Sequence, residues 1–224
     1  MRFDALPVGF QNWLILKNLV SFKNNKVLMR TLERTLLIVA FAGFLMRALL
    51  IPGGSEVLFI GFTFATLFYW LLSFAALNHI PLGGLFKKVS YANIGAGRIL
   101  GGIVTGMALS TVVMGIQFRL LLFYGATEMI VIGGMTLFMI LLIALIVMII
   151  RKKATDPFYR GVFIRGGLAV LIGIIMVLVP TRSWISLFHR DDPTYRDIFI
   201  RSVENPKDRE ALEELENYRS NSIK

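Results

Sequence analysis

The feature that most constrains this chain is a set of long apolar runs without charged side chains. About 20 apolar residues are enough to cross the hydrocarbon core of a bilayer as an α-helix. Two of the chain's apolar runs meet this condition only in part, because 35–51 contains Arg47 and 166–181 is flanked by Arg165 and Arg182. Three runs meet the condition with no charge at all, at 57–77, 99–118 and 129–150. We therefore predict an all-α integral membrane protein with about five transmembrane helices.

Composition excludes several kinds of site. The chain is 56% apolar and 17% charged, whereas soluble domains are about a quarter charged. It has no cysteine, which excludes disulfides, thiolate metal sites and cysteine nucleophiles. Its two histidines, His79 and His189, are too few for a histidine-rich metal site. No catalytic motif is present, so we predict no catalytic, cofactor-binding or metal site and no enzyme activity.

The apolar runs divide the chain into seven segments. Asn24 and Asn25 are suited to cap a helix that continues into the first span. Asp192 and Pro193 predict the start of a helix in the tail, and Asn205 marks a second helix start. The predicted segments are an interfacial amphipathic helix and entry at 1–34, a first transmembrane hairpin at 35–78, a loop at 79–98, a second hairpin at 99–150, a basic loop at 151–165, a fifth span at 166–182 and a polar helical tail at 183–224.

Basic residues predict the orientation of the chain. Lys and Arg favour the cytoplasmic side when they are counted over short loops. They are frequent in 1–34, 78–98 and 151–165 and absent from the turns at 52–55 and 123–127. We therefore read the net charge of +10 as a topology signal and not as a nucleic-acid site. The expected location is the bacterial inner membrane with a cytoplasmic N-terminus. Five spans place the tail outside, but a re-entrant fifth run would place it in the cytoplasm.

The first hairpin recurs 72 residues later. Residues 43–61 read GFLMRALLIPGGSEVLFIG and residues 115–133 read GIQFRLLLFYGATEMIVIG, with 8 identities in 19 positions. The matches include an arginine, a turn glycine and a glutamate, which apolar composition alone does not align. We predict a duplication in which both copies enter from the same side, as two parallel hairpin repeats.

Charged and turn residues inside these repeats are the candidate site residues. An ionisable residue in a span is a functional hypothesis by default. The structural alternative is that each arginine pairs with the glutamate of its own hairpin or extends to the surface. The candidates are Arg47, Pro52, Gly53 and Glu56 in the first copy and Arg119, Gly125 and Glu128 in the second.

Glycines at the start of the second hairpin favour close helix packing. They superficially match a dinucleotide-binding pattern, but that pattern requires a preceding strand. Small residues at four-residue spacing let helix backbones approach closely. The predicted packing residues are Gly97, Gly101, Gly102 and Gly106.

The first repeat resembles the transmembrane hairpin of the gliding-motility and type IX secretion motor protein of the GldL/PorL type. Gly43, Arg47, Pro52 and Gly53 stand at that family's glycine, basic residue and Pro-Gly turn. The resemblance covers about 35 residues and implies a helical hairpin beside a proton-driven motor. The family's functional glutamate falls on Ala65, and no other carboxylate lies in a predicted span core. The chain therefore resembles a duplicated hairpin without the motor chemistry.

Three function classes remain open. The first is a non-enzymatic membrane subunit, a scaffold or accessory component whose partners are other membrane proteins and the lipid bilayer. The second is a small transporter or channel, in which Arg47 and Arg119 would line an anion path. The third is a membrane enzyme, for which His79 and His189 are the sole clues. We favour the first class.

Overall fold

A computed structural model of the chain is all-helical. It describes the backbone of residues 8–92, 94–152, 155–205 and 208–222, and the side chains from residue 28 onward within these ranges except 219, 221 and 222. These ranges contain no strand. They form eight α-helices: α1 Val8–Ala48, α2 Gly54–Leu77, α3 Ala96–Leu120, α4 Ala126–Ile150, α5 Pro157–Leu178, α6 Thr181–Phe188, α7 Pro193–Glu204 and α8 Arg209–Ser222.

Four helices are long and apolar enough to cross a membrane. Within the described part of the chain these are α2, α3, α4 and α5. The first helix is excluded because Glu33, Arg34 and Arg47 interrupt its apolar part. The chain is thus a helical protein of the kind that spans membranes, and the place of α1 follows from its packing.

Helix α1 is one continuous helix of 41 residues, about 61 Å long at 1.5 Å per residue. It passes through Asn24 and Asn25 without a break, so no helix starts there as the sequence suggested. It packs antiparallel to α2, with Ala40 beside Gly61 and Gly43 beside Leu58. Because α2 has only 24 residues, this register carries the first part of α1 about 24 Å beyond the end of α2.

Helix α3 is the centre of the bundle. It packs against α2, α4 and α5, and it buries more of its surface than any other membrane-length helix described. Its fully buried residues Leu109 and Val112 join the main apolar core with Leu58 of α2 and Leu137 of α4. By contrast, only 22% of the apolar window of α4 and of α5 is buried, as is expected of helices that face lipid.

Helix α5 begins nine residues earlier than the predicted fifth span. The side chain of Asp156 accepts a hydrogen bond from the backbone N–H of Phe158, and Pro157 occupies the first turn, where its missing N–H costs nothing. The predicted basic loop at 151–165 is therefore short, and Arg160 and Arg165 lie within the helix. The helix is continuous over its 22 residues.

The tail lies at the same end of the bundle as the two tight turns. Two hydrogen-bonded caps, Asp192 to the N–H of Tyr195 and Asp208 to that of Ala211, start α7 and α8. An additional short helix, α6, precedes them and was not predicted. The opposite end carries the 78–95 connection, which contains two 3-10 turns at Leu82–Gly84 and Lys88–Tyr91.

Candidate functional site

The two tight turns have the same backbone geometry. Leu50 and Leu122, at equivalent positions, have φ of 60° and 61°, and Gly53 and Gly125 have φ of 84° and 78°. Left-handed residues at these positions end one helix and start the next. In each turn a hydrogen bond reaches back five residues, from the N–H of Ile51 to the carbonyl of Met46 and from that of Phe123 to that of Phe118, both at 2.8 Å.

Within each hairpin, glycines allow the two helices to pack closely, and the contacts are equivalent in the two copies. A Cβ on Gly43 would collide with the backbone of Leu58, and a Cβ on Gly115 would lie 2.9 Å from the nitrogen of Ile130. These contacts are 72 residues apart in both partners. A second equivalent pair follows, with Gly61 against Ala40 in the first hairpin and Gly133 against Val112 in the second.

Arg47 connects its own hairpin to the tail. Its Nη1 donates to the hydroxyl of Ser55, at 2.6 Å, across the first turn. Its guanidinium carbon lies 4.7 Å from the ring centroid of Phe188, which is within the range of a cation–π interaction. Phe188 stacks on Trp184, and both rings meet Phe44 of α1 edge-on. Arg47 is thus bound by Ser55 and α6, and Pro52 is exposed at the tip of the turn.

Arg119 has a different partner, the carboxyl end of α5. It is buried, and three of its nitrogens donate: Nε to the carbonyl of Met176 at 3.2 Å, Nη2 to that of Val179 at 2.8 Å and Nη1 to the hydroxyl of Thr181 at 2.8 Å. The last carbonyls of a helix have no partner within it and carry partial negative charge. Arg119 therefore caps α5.

The predicted arginine–glutamate pairs do not form. Glu56 and Glu128 are exposed in the first turns of α2 and α4, where a negative charge suits the helix dipole. The four ion pairs among the described residues include neither of them. Ser55 and the end of α5 supply closer acceptors to the two arginines.

Two of the four predicted packing glycines make close contacts. A Cβ on Gly106 would lie 2.5 Å from Cβ of Ser73, and one on Gly102 would lie 2.9 Å from Cα of Phe74. Gly101 makes one ordinary contact, and Gly97 has no described atom within 4 Å, so the stripe does not extend to them. Gly101 is instead closest to Phe158 of α5, and Gly97 lies in the first turn of α3.

A buried ion pair joins three helices at a depth where the sequence predicted no carboxylate. Arg165 of α5 binds Glu33 of α1 through two hydrogen bonds of 2.6 Å, from Nε and Nη2 to the two carboxylate oxygens. The hydroxyl of Tyr69, in α2, donates to Oε1 of Glu33 at 3.1 Å. Tyr69 lies eight residues from the end of α2, so the pair is about 12 Å inside the bundle.

This site could have been found from the sequence. Glu33 lies just before the predicted first span and Arg165 just before the predicted fifth span. Because both predicted spans begin on the same side, these positions put the two charges at similar depth. The sequence did not show that both helices begin before their apolar runs. The pair therefore lies within the bundle and not at its end.

A second ion pair lies at the end of the bundle opposite the two tight turns. Arg98, at the start of α3, donates to Asp156 at 2.6 Å, and its guanidinium lies 5.1 Å from the ring centroid of Phe158. Asn78 at the end of α2 donates to the carbonyl of Arg98 at 3.3 Å. The beginnings of α3 and α5 and the end of α2 are thereby joined.

One cavity of about 180 Å³ lies between the second turn and the tail. Its lining includes Arg119, Tyr124, Glu128, Thr181 and Phe199. The donors of Arg119 that α5 occupies are not available to a ligand there. The part of the chain that the structure describes also holds no group of three or more His, Cys, Asp or Glu side chains able to bind a metal ion.

No protein-family model matches the chain, and no curated protein and no solved structure is found to be similar to it.

Proposed function

We propose that this protein is a non-enzymatic integral membrane subunit, a scaffold or accessory component of a bacterial envelope complex. One observation carries the proposal: Arg119 and Arg165, whose side chains lie between helices, bind other helices of the same bundle. Charges that are used in this way stabilise a fixed arrangement of helices. They do not form a row of free donors along a path.

The proposal includes five spans, with α1 as the first. Helix α1 packs along α2 over the whole depth of the bundle, and its one buried carboxylate is neutralised by Arg165. With the basic end of the bundle in the cytoplasm, the tail and both tight turns face outward. The equivalent turns and glycine contacts support a duplication of the hairpin.

The resemblance of the first hairpin to the GldL/PorL type indicates where to look for partners. A motor hairpin and a related hairpin without the motor glutamate are compatible with neighbouring places in one assembly. Gliding motility and type IX secretion are accordingly the first processes in which we would test this protein.

A small transporter is the second candidate. Parallel repeats are common in transporters, and Arg47 keeps a buried Nε without a described partner. An anion path along the hairpins would need this arginine and Arg119 to be exchangeable with a substrate. The bonds from Arg119 to α5 are the main argument against it.

The test is purification of the tagged full-length protein in mild detergent, with identification and quantification of bound proteins. Stoichiometric recovery of motor, secretion or other envelope components is the expected result. In parallel, Arg47→Gln with Arg119→Gln is compared with the parent protein for anion flux in proteoliposomes. Recovery of a homogeneous homo-oligomer together with flux that the double variant abolishes would establish the transporter instead.

A further inference from the structure

The connection between α2 and α3 presents an unusual surface at the basic end of the bundle. The side chain of Phe86 is 100% exposed and that of Val89 is 84% exposed, and Lys87 and Lys88 between them are exposed as well. We call these four residues the Phe86–Val89 ridge. An exposed apolar patch rimmed by polar side chains is typical of a surface that contacts a protein or a membrane.

The ridge is held by a well-packed base. Leu82 and Leu85 pack against the main core, and the Leu82–Gly84 turn contacts α1. A Cβ on Gly84 would lie 2.5 Å from the hydroxyl of Ser90, so the two 3-10 turns are in tight contact. The hydroxyl of Tyr91 donates to the carbonyl of Leu85. Because these contacts fix the backbone on both sides, the exposure of Phe86 is a property of the fold.

The charges around the ridge identify what covers it. The exposed charged residues described at this end of the bundle are basic, and Asp156 is paired with Arg98. They are Lys87, Lys88, Arg151, Lys152 and Arg160. An apolar tip flanked by lysines matches the boundary between anionic headgroups and acyl chains, which takes apolar side chains to a depth of about 5–10 Å.

We infer that the Phe86–Val89 ridge inserts into the adjacent membrane leaflet and binds anionic phospholipid there, with Phe86 and Val89 among the acyl chains and both lysines at the phosphates. The inference rests on the membrane location within the proposed function but not on the partner or transport activity. Phe86 follows the end of α2 by nine residues, so the proposed topology puts the ridge at the cytoplasmic membrane surface. The ridge then fixes the depth of the α2–α3 end and makes it sensitive to lipid charge.

The absence of cysteine from the chain allows a direct test. Phe86→Cys is labelled with an environment-sensitive fluorophore and the full-length protein is reconstituted into bilayers of zwitterionic lipid, with and without anionic phosphatidylglycerol. We expect a blue-shifted emission that nitroxide-labelled lipid quenches, and a larger shift when phosphatidylglycerol is present. The same label at Glu213→Cys in the exposed part of α8 is the matched control and should report water.

Lys87→Gln with Lys88→Gln, added to Phe86→Cys, should remove the difference between the two lipid mixtures. Water-like emission at position 86, quenched by aqueous iodide as strongly as at position 213, would overturn the inference. Shielding of position 86 in native membranes but not in lipid bilayers would assign the ridge to a protein partner and would also overturn it. Because Phe86, Lys87 and Lys88 are exposed, we expect these substitutions to leave the fold intact. An unchanged elution volume of the variants checks this.

Discussion

The most consequential single contact is the one between Glu33 and Arg165. A charged group inside an apolar bundle is tolerated when its charge and its hydrogen-bonding capacity are both satisfied. The two parallel bonds from Arg165 and the third from Tyr69 do this for the carboxylate of Glu33. The pair therefore fixes α1 to α5, two helices that have no extensive apolar interface with each other.

We predict that Glu33→Gln lowers the free energy of unfolding by about 3–5 kcal/mol, because it leaves the guanidinium of Arg165 buried without a counter-charge. Unfolding is followed by tryptophan fluorescence in mixed micelles of mild detergent and dodecyl sulfate. Tyr69→Phe is the matched control, since it removes one neutral donor and should cost about 0.5–1.5 kcal/mol. Equal losses for the two variants would show that removing the charge of Glu33 costs no more than removing one neutral hydrogen bond, and would contradict the prediction.

At the scale of the element, each hairpin depends on glycine at the crossing of its helices. The nearest backbone atom to a Cβ on Gly61 is the nitrogen of Ala40, at 2.6 Å, and for Gly133 it is that of Val112, at 3.0 Å. Helices in lipid associate mainly through such close packing, because no hydrophobic driving force separates lipid from apolar side chains. Each hairpin is therefore stabilised by close contact between the backbones of its two helices.

We expect Gly61→Ala and Gly133→Ala each to lower the free energy of unfolding by about 1–3 kcal/mol through overpacking. The larger loss belongs to Gly61, whose neighbour is closer. Gly134→Ala is the control, since a Cβ there has no described atom within 4 Å. The same fluorescence assay measures all three, and a loss at Gly134 equal to that at Gly133 would refute the packing argument.

The turn glycines allow a second comparison. Gly53, Gly125 and Gly95 all precede a helix without a side-chain cap, but Gly95 has φ of −64° and the other two have positive φ. Alanine at a positive φ costs about 1–2 kcal/mol. We predict that Gly53→Ala and Gly125→Ala are destabilised by that amount relative to Gly95→Ala, measured as the midpoint of thermal unfolding in detergent. Equal midpoints would mean that the turns relax to negative φ.

Much of the fold was predictable from the apolar runs, whereas the partners of the two repeat arginines were not. Charge-free stretches locate α2, α3 and α4 because each must bury or expose to lipid a whole apolar surface. The partners of Arg47 and Arg119 were not predictable, since the equivalent arginines bind Ser55 in one hairpin and the end of α5 in the other. Sequence equivalence fixed where the two arginines lie along their helices. Which acceptor is nearest depends on a neighbouring helix that belongs to neither repeat.

The bundle as a whole has one basic end and one end covered by the tail. We predict that Lys17→Cys and Lys88→Cys lie on one side of the membrane and Glu213→Cys on the other. An impermeant maleimide should label Glu213→Cys in cells with a permeabilised outer membrane and the other two only after lysis. Labelling of Lys17→Cys together with Glu213→Cys would show that α1 does not cross.

The Glu33–Arg165 pair also constrains the order of events during biosynthesis. The two residues are 132 positions apart, so a ribosome that adds about 5–20 residues per second makes Arg165 roughly 7–26 s after Glu33. Arg119 similarly precedes its acceptor at Val179 by 60 residues. Throughout these intervals the guanidinium partner of Glu33 and the α5 acceptors of Arg119 do not yet exist. Closure of the bundle by this pair is thus a late event, because it must wait until α5 has been made.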